Sequence, residues 1–170
     1  GADLSATFTV DRVNFTRPDG VAFDIGAYEK DLTTTPIEYF VDQTAGNDVN
    51  AGTSSALPWK TLAKVNTSAF NADDAIYLKR GETWAETLTV PSSGTSGHPI
   101  IIGAYGESSV VPIINCASTR AYGIDGNSKN YLNISRIHTK DCTTAGVLAS
   151  GTNNTLQYML ITGGADGIKV

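Results

Sequence analysis

The side chains able to do chemistry are few, and their spacing decides what each could do. His138, with Arg136, Lys140 and Asp141 around it, makes a charged cluster at the end of the stretch 132–137, which reads as a strand. Such a cluster could contact an acidic sugar, and it equally suits a solvated turn. The loop Asn47-Asp48-Val49-Asn50-Ala51-Gly52 sets side-chain oxygens at alternate positions, which makes Asp48 and Asn50 candidate ligands for Ca²⁺. Pro58 and Trp59 follow where a calcium loop would place its bidentate Glu, and Asx-turn hydrogen bonding accounts for the same residues. Asp73 and Asp74 are neighbours entering a strand, so they face opposite ways and cannot work as a paired acid and base. His98, before Pro99, reads as a turn residue. Trp84, Tyr105 and Tyr122 are aromatic groups that would stack on sugar rings if exposed, or else pack at the end of the structure.

What must position these groups is a repeat. Tyr122-Gly123-Ile124-Asp125, Ala145-Gly146-Val147-Leu148 and Asp166-Gly167-Ile168-Lys169 share a glycine-apolar-polar pattern, with glycine steps of 23 and 21 residues. Strand side chains alternate. Ile124, Val147 and Ile168 are therefore expected to point inward, and Asp125, Leu148 and Lys169 to stack outward. At about 4.8 Å per rung, Asp125 and Lys169 would lie roughly 10 Å apart. That pair could begin a substrate groove or belong to an ordinary solvated face. A second alignment lays Asn130, Leu132 and Ile137 over Asn154, Leu156 and Ile161, each at an offset of 24. It predicts that Leu132 and Leu156 are equivalent inward residues and that the two Asn side chains bond along the stack. A unit this short cannot bury its apolar face alone, so copies must stack. The regular Leu framework of leucine-rich repeats is missing, which favours a parallel β-helix.

Composition agrees. The 170 residues carry 12 basic and 17 acidic side chains, a net charge of −5 that argues against a nucleic-acid partner. No apolar run is long enough for a transmembrane segment. Thr, Ser and Asn make up about a quarter of the chain, with 17 Gly and more Val and Ile than Leu, the vocabulary of short strands and tight turns. Strands are predicted at 37–41, 75–79, 87–90, 100–102, 110–111 and 113–114, and a short helix near 58–66 with Pro58 at its first position. Cys116 and Cys142 lack any CxxC spacing. They read as two small buried hydrophobes, or as stacked neighbours one circuit plus two residues apart that could be bonded. Gly1 is no initiator Met, and Val170 falls inside an apolar run, so the chain is expected to be a piece of a longer protein.

Residues 39–106 resemble the opening of the right-handed parallel β-helix proteins of the pectate-lyase-like superfamily. The resemblance rests on motifs in order: Tyr39-Phe-Val-Asp42, Gly46-Asn-Asp-Val-Asn-Ala-Gly-Thr53, Pro58-Trp-Lys-Thr-Leu62, Ile76-Tyr-Leu-Lys-Arg-Gly-Glu-Thr-Trp84, and Ser93-Gly-Thr-Ser-Gly-His-Pro-Ile-Ile-Ile102 with Ala104-Tyr-Gly106. Ala2-Asp-Leu-Ser5, Arg17-Pro-Asp-Gly20 and Phe23-Asp-Ile-Gly-Ala-Tyr-Glu29 resemble the closing segment of a bacterial secreted β-helix domain. The resemblance implies an all-β solenoid whose helix near 58–66 caps the first coil. It implies three segments: a closing piece at 1–30, a linker at 31–36, and a cap with first coils at 37–170 that continue beyond the chain. It further implies an extracellular or cell-surface protein whose partner is a polysaccharide, acidic polymers included. A uronate lyase of this kind would use Arg or Lys as base and a cation such as Ca²⁺ on the carboxylate; a hydrolase would use paired carboxylates. Neither catalytic set matches residues here, which leaves a non-catalytic surface spacer or carbohydrate-binding module as the other expectation.

Overall fold

The computed structural model describes residues 35–170. The chain divides into two units, and the described elements lie in the second, Pro36–Val170. The closing segment expected at 1–30 lies outside the described residues, as does most of the linker.

Among the described residues, thirteen strands form three wholly parallel sheets. The first sheet holds, in order, β1 (Glu38–Val41), β2 (Ala75–Lys79), β5 (Ile100–Tyr105), β8 (Leu132–Ser135) and β11 (Thr155–Gln157). The second holds β3 (Thr83–Trp84), β6 (Ile113–Asn115), β9 (His138–Lys140) and β12 (Leu160–Thr162). The third holds β4 (Leu88–Thr89), β7 (Tyr122–Asp125), β10 (Ala145–Leu148) and β13 (Asp166–Lys169). From β2 onward the chain visits first, second and third sheets in rotation, a nearly all-β, β-helix-like arrangement. The one helix among the described residues, α1 (Leu62–Asn66), is five residues long.

Each sheet contributes a column of inward side chains. The first runs Tyr39, Ile76, Ile102, Ile134, Leu156. The second runs Trp84, Ile114, Thr139, Ile161, and the third Leu88, Ile124, Val147, Ile168. Most of these join one buried cluster. Thr139 is the polar member, fully buried between Ile114 and Ile161 with no hydrogen bond for its hydroxyl. An unpaired buried hydroxyl costs about 1–3 kcal/mol. Thr139→Val should therefore raise stability by about 1 kcal/mol, read as a rise of roughly 3 °C in Tm. A fall would mean that the hydroxyl has a partner.

The third-sheet expectation holds: Ala145 pairs with Tyr122 and Asp166, so the 23 and 21 steps are true rungs. The 24-residue alignment does not. Leu156 pairs with Ile134, and Ile161 with Thr139, an offset of 22 in both sheets. Asn130 consequently meets Thr152, its Oδ1 accepting from the Thr152 N–H at 2.7 Å, while Asn154 accepts from the Leu132 N–H at 2.9 Å. A two-residue slip keeps every side chain on its own face, so the apolar pattern alone tolerates both registers.

Corners also correct the sequence reading. Arg136 takes a positive φ of 57° and ends the strand expected through Ile137, and Tyr158, 22 residues later, takes 53°. Asp141 at 54° and Gly163 at 67° repeat the pattern at the next corner. The helix starts later than expected because Thr61 is its N-cap: Thr61 Oγ1 accepts from the Lys64 N–H at 3.0 Å. Pro58 and Trp59 instead run beside β1, where the Trp59 N–H donates to the Phe40 carbonyl. Val110 and Val111 lie outside the strands.

Candidate functional site

The anticipated site residues separate onto different faces. Asp125, Leu148 and Lys169 do form one outward column on the third sheet. Leu148 lies between the charges, and Asp125 Oδ1 accepts from the Asn127 N–H at 3.0 Å, an Asx turn. His138 and Lys140 stand outward on the second sheet, on a strand and not in a turn, flanking inward Thr139. His138 Nε2 lies 2.7 Å from Thr162 Oγ1 on the next rung. Burial, aided by the Lys140 charge and opposed by Asp141, holds the imidazole below its ordinary range. Lys140 Nζ lies 3.3 Å from Asp141. Arg136 sits at the corner before this strand with its guanidinium 5.5 Å from the Tyr158 ring centroid, a cation–π contact between equivalent corners.

Asp48 and Asn50 are occupied in holding the loop to the helix. Asp48 Oδ1 accepts from the Lys60 and Thr61 N–H groups at 2.8 and 3.0 Å, and Oδ2 from the Thr61 hydroxyl at 2.8 Å. Burial pushes the carboxyl up, but these hydrogen bonds more than offset it and hold it below the usual range. Asn50 turns its amide N–H toward the Pro58 carbonyl at 2.9 Å. Among the described residues, no cluster of three or more His, Cys, Asp or Glu could hold a metal ion. Asp73 and Asp74 diverge as expected: Asp73 meets His98 Nδ1 at 2.6 Å, whereas buried Asp74 accepts from the Ile37 and Asn71 N–H groups. Trp84 is only 1% exposed and belongs to the core in the first rung of its sheet, so of its two readings it packs at the end of the structure and does not stand open to a sugar ring.

The sequence reading missed a constellation on the outer face of the first sheet. Register brings Phe40 beside Tyr77 and then Gly103, and Lys79 beside Tyr105. The Phe40 ring is 5.9 Å from Tyr77 and meets Tyr105 edge-on at 5.1 Å. Tyr77 lies against Gly103, where an added Cβ would stand 3.4 Å from the ring. At the end of β1, buried Asp42 accepts from Lys79 Nζ at 2.5 Å and from the Thr44 and Ala45 N–H groups at 3.0 Å each. Burial pushes the Asp42 carboxyl up, yet those donors hold it below the usual carboxylate range. Beside them, burial and the charges of Asp42 and Glu82 push the Tyr105 phenol up to about 12. A signal for the pair was present: Phe40/Asp42 and Tyr77/Lys79 share one 37-residue offset, which parallel pairing turns into adjacency.

The Asp42–Lys79 pair sets a pH dependence. Asp42 is depressed in the fold, so its stabilisation is present above the unfolded value of about 3.9 and is lost as pH falls through the folded value. Lys79→Met should cost about 2 kcal/mol at neutral pH, less than a fully buried pair because Lys79 is half-exposed. It should also shrink the acid-induced loss below pH 4. Urea midpoints for both proteins across pH 2–7 measure this, and parallel curves would contradict the assignment.

The three parallel sheets define the class as β-helix-like, and the comparisons agree. No family model matches the chain. Over 80 residues, 45% of this chain and 5% of the relative, it is 35% identical to a lacto-N-biosidase of Bifidobacterium longum subsp. longum. The native GH136 lacto-N-biosidase from Eubacterium ramulus superposes with a TM-score of 0.62 at 19% identity, over 73% of this chain and 26% of that one. Its selenomethionine derivative gives 0.59 at 20% identity, over 74% and 27%. The chain thus spans about a twentieth of the curated relative and about a quarter of the solved one, and the structural likeness is one of fold.

Proposed function

We propose that this chain is an N-terminal part of a secreted, right-handed parallel β-helix protein of pectate-lyase-like architecture that acts on glycans as a glycoside hydrolase. Its catalytic set lies outside the described residues. The observation that carries the reading is the 35% identity to a lacto-N-biosidase, matched in fold by a GH136 lacto-N-biosidase. The rotation of strands through three sheets supports a solenoid, and parallel crossovers are right-handed in nearly all proteins. Buried Trp59, Leu62, Val65 and Phe70, packed with the first rungs, support a capping role for α1 and its flanks. The Cys116–Cys142 disulfide supports an oxidising, extracellular or cell-surface location. No helix among the described residues is long and apolar enough to cross a membrane. Residues 1–30 enter this reading as the end of a preceding β-helix unit.

Hydrolase chemistry is favoured over uronate-lyase chemistry because both named relatives are lacto-N-biosidases. The test incubates the full-length protein with neutral oligosaccharides and with polygalacturonate. Release of reducing sugars from the neutral substrates supports the hydrolase. An unsaturated product absorbing in the ultraviolet would convert the reading to a lyase. Retention on a polysaccharide with no turnover would convert it to a binding or spacer protein.

A further inference from the structure

The outer face of the first sheet has the make-up of a sugar-binding strip. One column runs Phe40, Tyr77, Gly103, Ser135 and Gln157 along consecutive strands. Strand pairing sets the first two steps and the last, and Gly103 comes beside Ser135 with 3.9 Å from an added Cβ to Ser135 Oγ. Four rungs at about 4.8 Å give a strip of roughly 19 Å, room for several pyranose rings. Its start is aromatic and half-exposed: Phe40 and Tyr77 are tilted 42° to each other, and Tyr105 braces Phe40 edge-on. Glycine at 103 matters here. With no side chain between rungs, the Tyr77 ring packs against the sheet instead of standing off it. The far end is polar, with half-buried Ser135 and exposed Gln157 offering a hydroxyl and an amide. Apolar ring faces followed by uncharged donors and acceptors match the two sides of a sugar, its C–H face and its hydroxyl rim.

Charge narrows the occupant. The five strands of this sheet carry two charged residues, Glu38 and Lys79. Lys79 is held by Asp42, and Glu38 lies close enough to raise the Tyr77 phenol, together with burial. Arg136, at the corner after Ser135, is spread over Tyr158. A uronate would meet a carboxylate here and no free cation on these strands. We propose that this strip binds a neutral oligosaccharide lying along the stack of rungs, with Phe40 and Tyr77 stacking on ring faces and Ser135 and Gln157 bonding to hydroxyls. The inference rests on the glycan-acting reading and adds to it a site and a ligand class.

Calorimetric titration of the chain with cellotetraose, lacto-N-tetraose and tetragalacturonate tests the site. A neutral tetrasaccharide should bind, and Tyr77→Ala and Phe40→Ala should each weaken it about tenfold, with Tyr77→Phe close to wild type. Gln157→Ala, on an exposed strand residue, should weaken it a few-fold with an unchanged Tm. Binding that survives both aromatic truncations, or that favours tetragalacturonate, overturns the site. No binding to any neutral probe, while the full-length protein still cleaves neutral glycans, overturns the strip and leaves the hydrolase reading intact. Loss of both would sink the two together.

Discussion

Trp84→Ala is expected to destabilise the protein by about 4 kcal/mol, among the largest effects of any single truncation here. The indole is 1% exposed and heads the inward column above Ile114, in the first rung of the second sheet. Its Nε1 donates to the Lys60 carbonyl at 3.0 Å, one residue before the helix N-cap at Thr61. The side chain therefore does two things at once: it fills the end of the core and ties the 42–70 segment to the rungs. Truncation leaves a cavity and an unpaired carbonyl. Trp84→Phe separates the two, restoring most of the packing but not the bond, and should cost about 1–2 kcal/mol. Urea unfolding of the three proteins measures it. Equal losses for Ala and Phe would mean that the hydrogen bond, and not the packing, dominates.

Reduction of the Cys116–Cys142 bond should cost nearly as much. The bond closes a 26-residue separation, and constraint of the unfolded chain predicts about 3 kcal/mol for that length. It joins adjacent circuits at the corner between the second and third sheets, with both cysteines buried. That corner holds Ala117 and Ser118 at φ of 52° and 53°, a conformation costly for side chains larger than glycine. The Asn115 carboxamide and the Asp141 carbonyl, accepting from their N–H groups, hold it in place together with the disulfide. A Cys116→Ala/Cys142→Ala protein should unfold at lower denaturant, and the wild type should alkylate only after reduction. Alkylation of the untreated protein, or identical midpoints, would contradict the bond.

Several elements were legible before any coordinates. Glu38–Val41 and Ala75–Lys79 stood out as strands because each is a short stretch centred on aromatic and aliphatic residues, Tyr39-Phe40-Val41 and Ile76-Tyr77-Leu78, bounded by turn residues. The column Ile124, Val147, Ile168 was readable because a glycine marks the same place in each copy. Gly146 explains why: a Cβ there would stand 2.4 Å from both Ile161 Cγ2 and Thr139 Oγ1, so this position of β10 admits no side chain. The candidate site was less legible. Asp48 resembled a ligand by spacing, and only the position of Lys60 and Thr61, twelve and thirteen residues on, showed its oxygens committed to their N–H groups. Phe40 and Tyr77 were visible as residues but not as a pair, since 37 positions separate them.

By itself the sequence determined the alternation of inward and outward side chains, the parallel stacking and the nearly all-β class, since each depends on residues close along the chain. Register in the first and second sheets, the choice of 22 over 24 between their last rungs, the disulfide and the grouping of Phe40, Tyr77 and Tyr105 were decided only by the tertiary structure. The physical reason is the same for all four. Shifting a strand by two residues leaves its apolar face buried, so local patterning is indifferent between registers. Closure of each circuit through its corners, with Arg136 and Tyr158 both turned to positive φ, selects one.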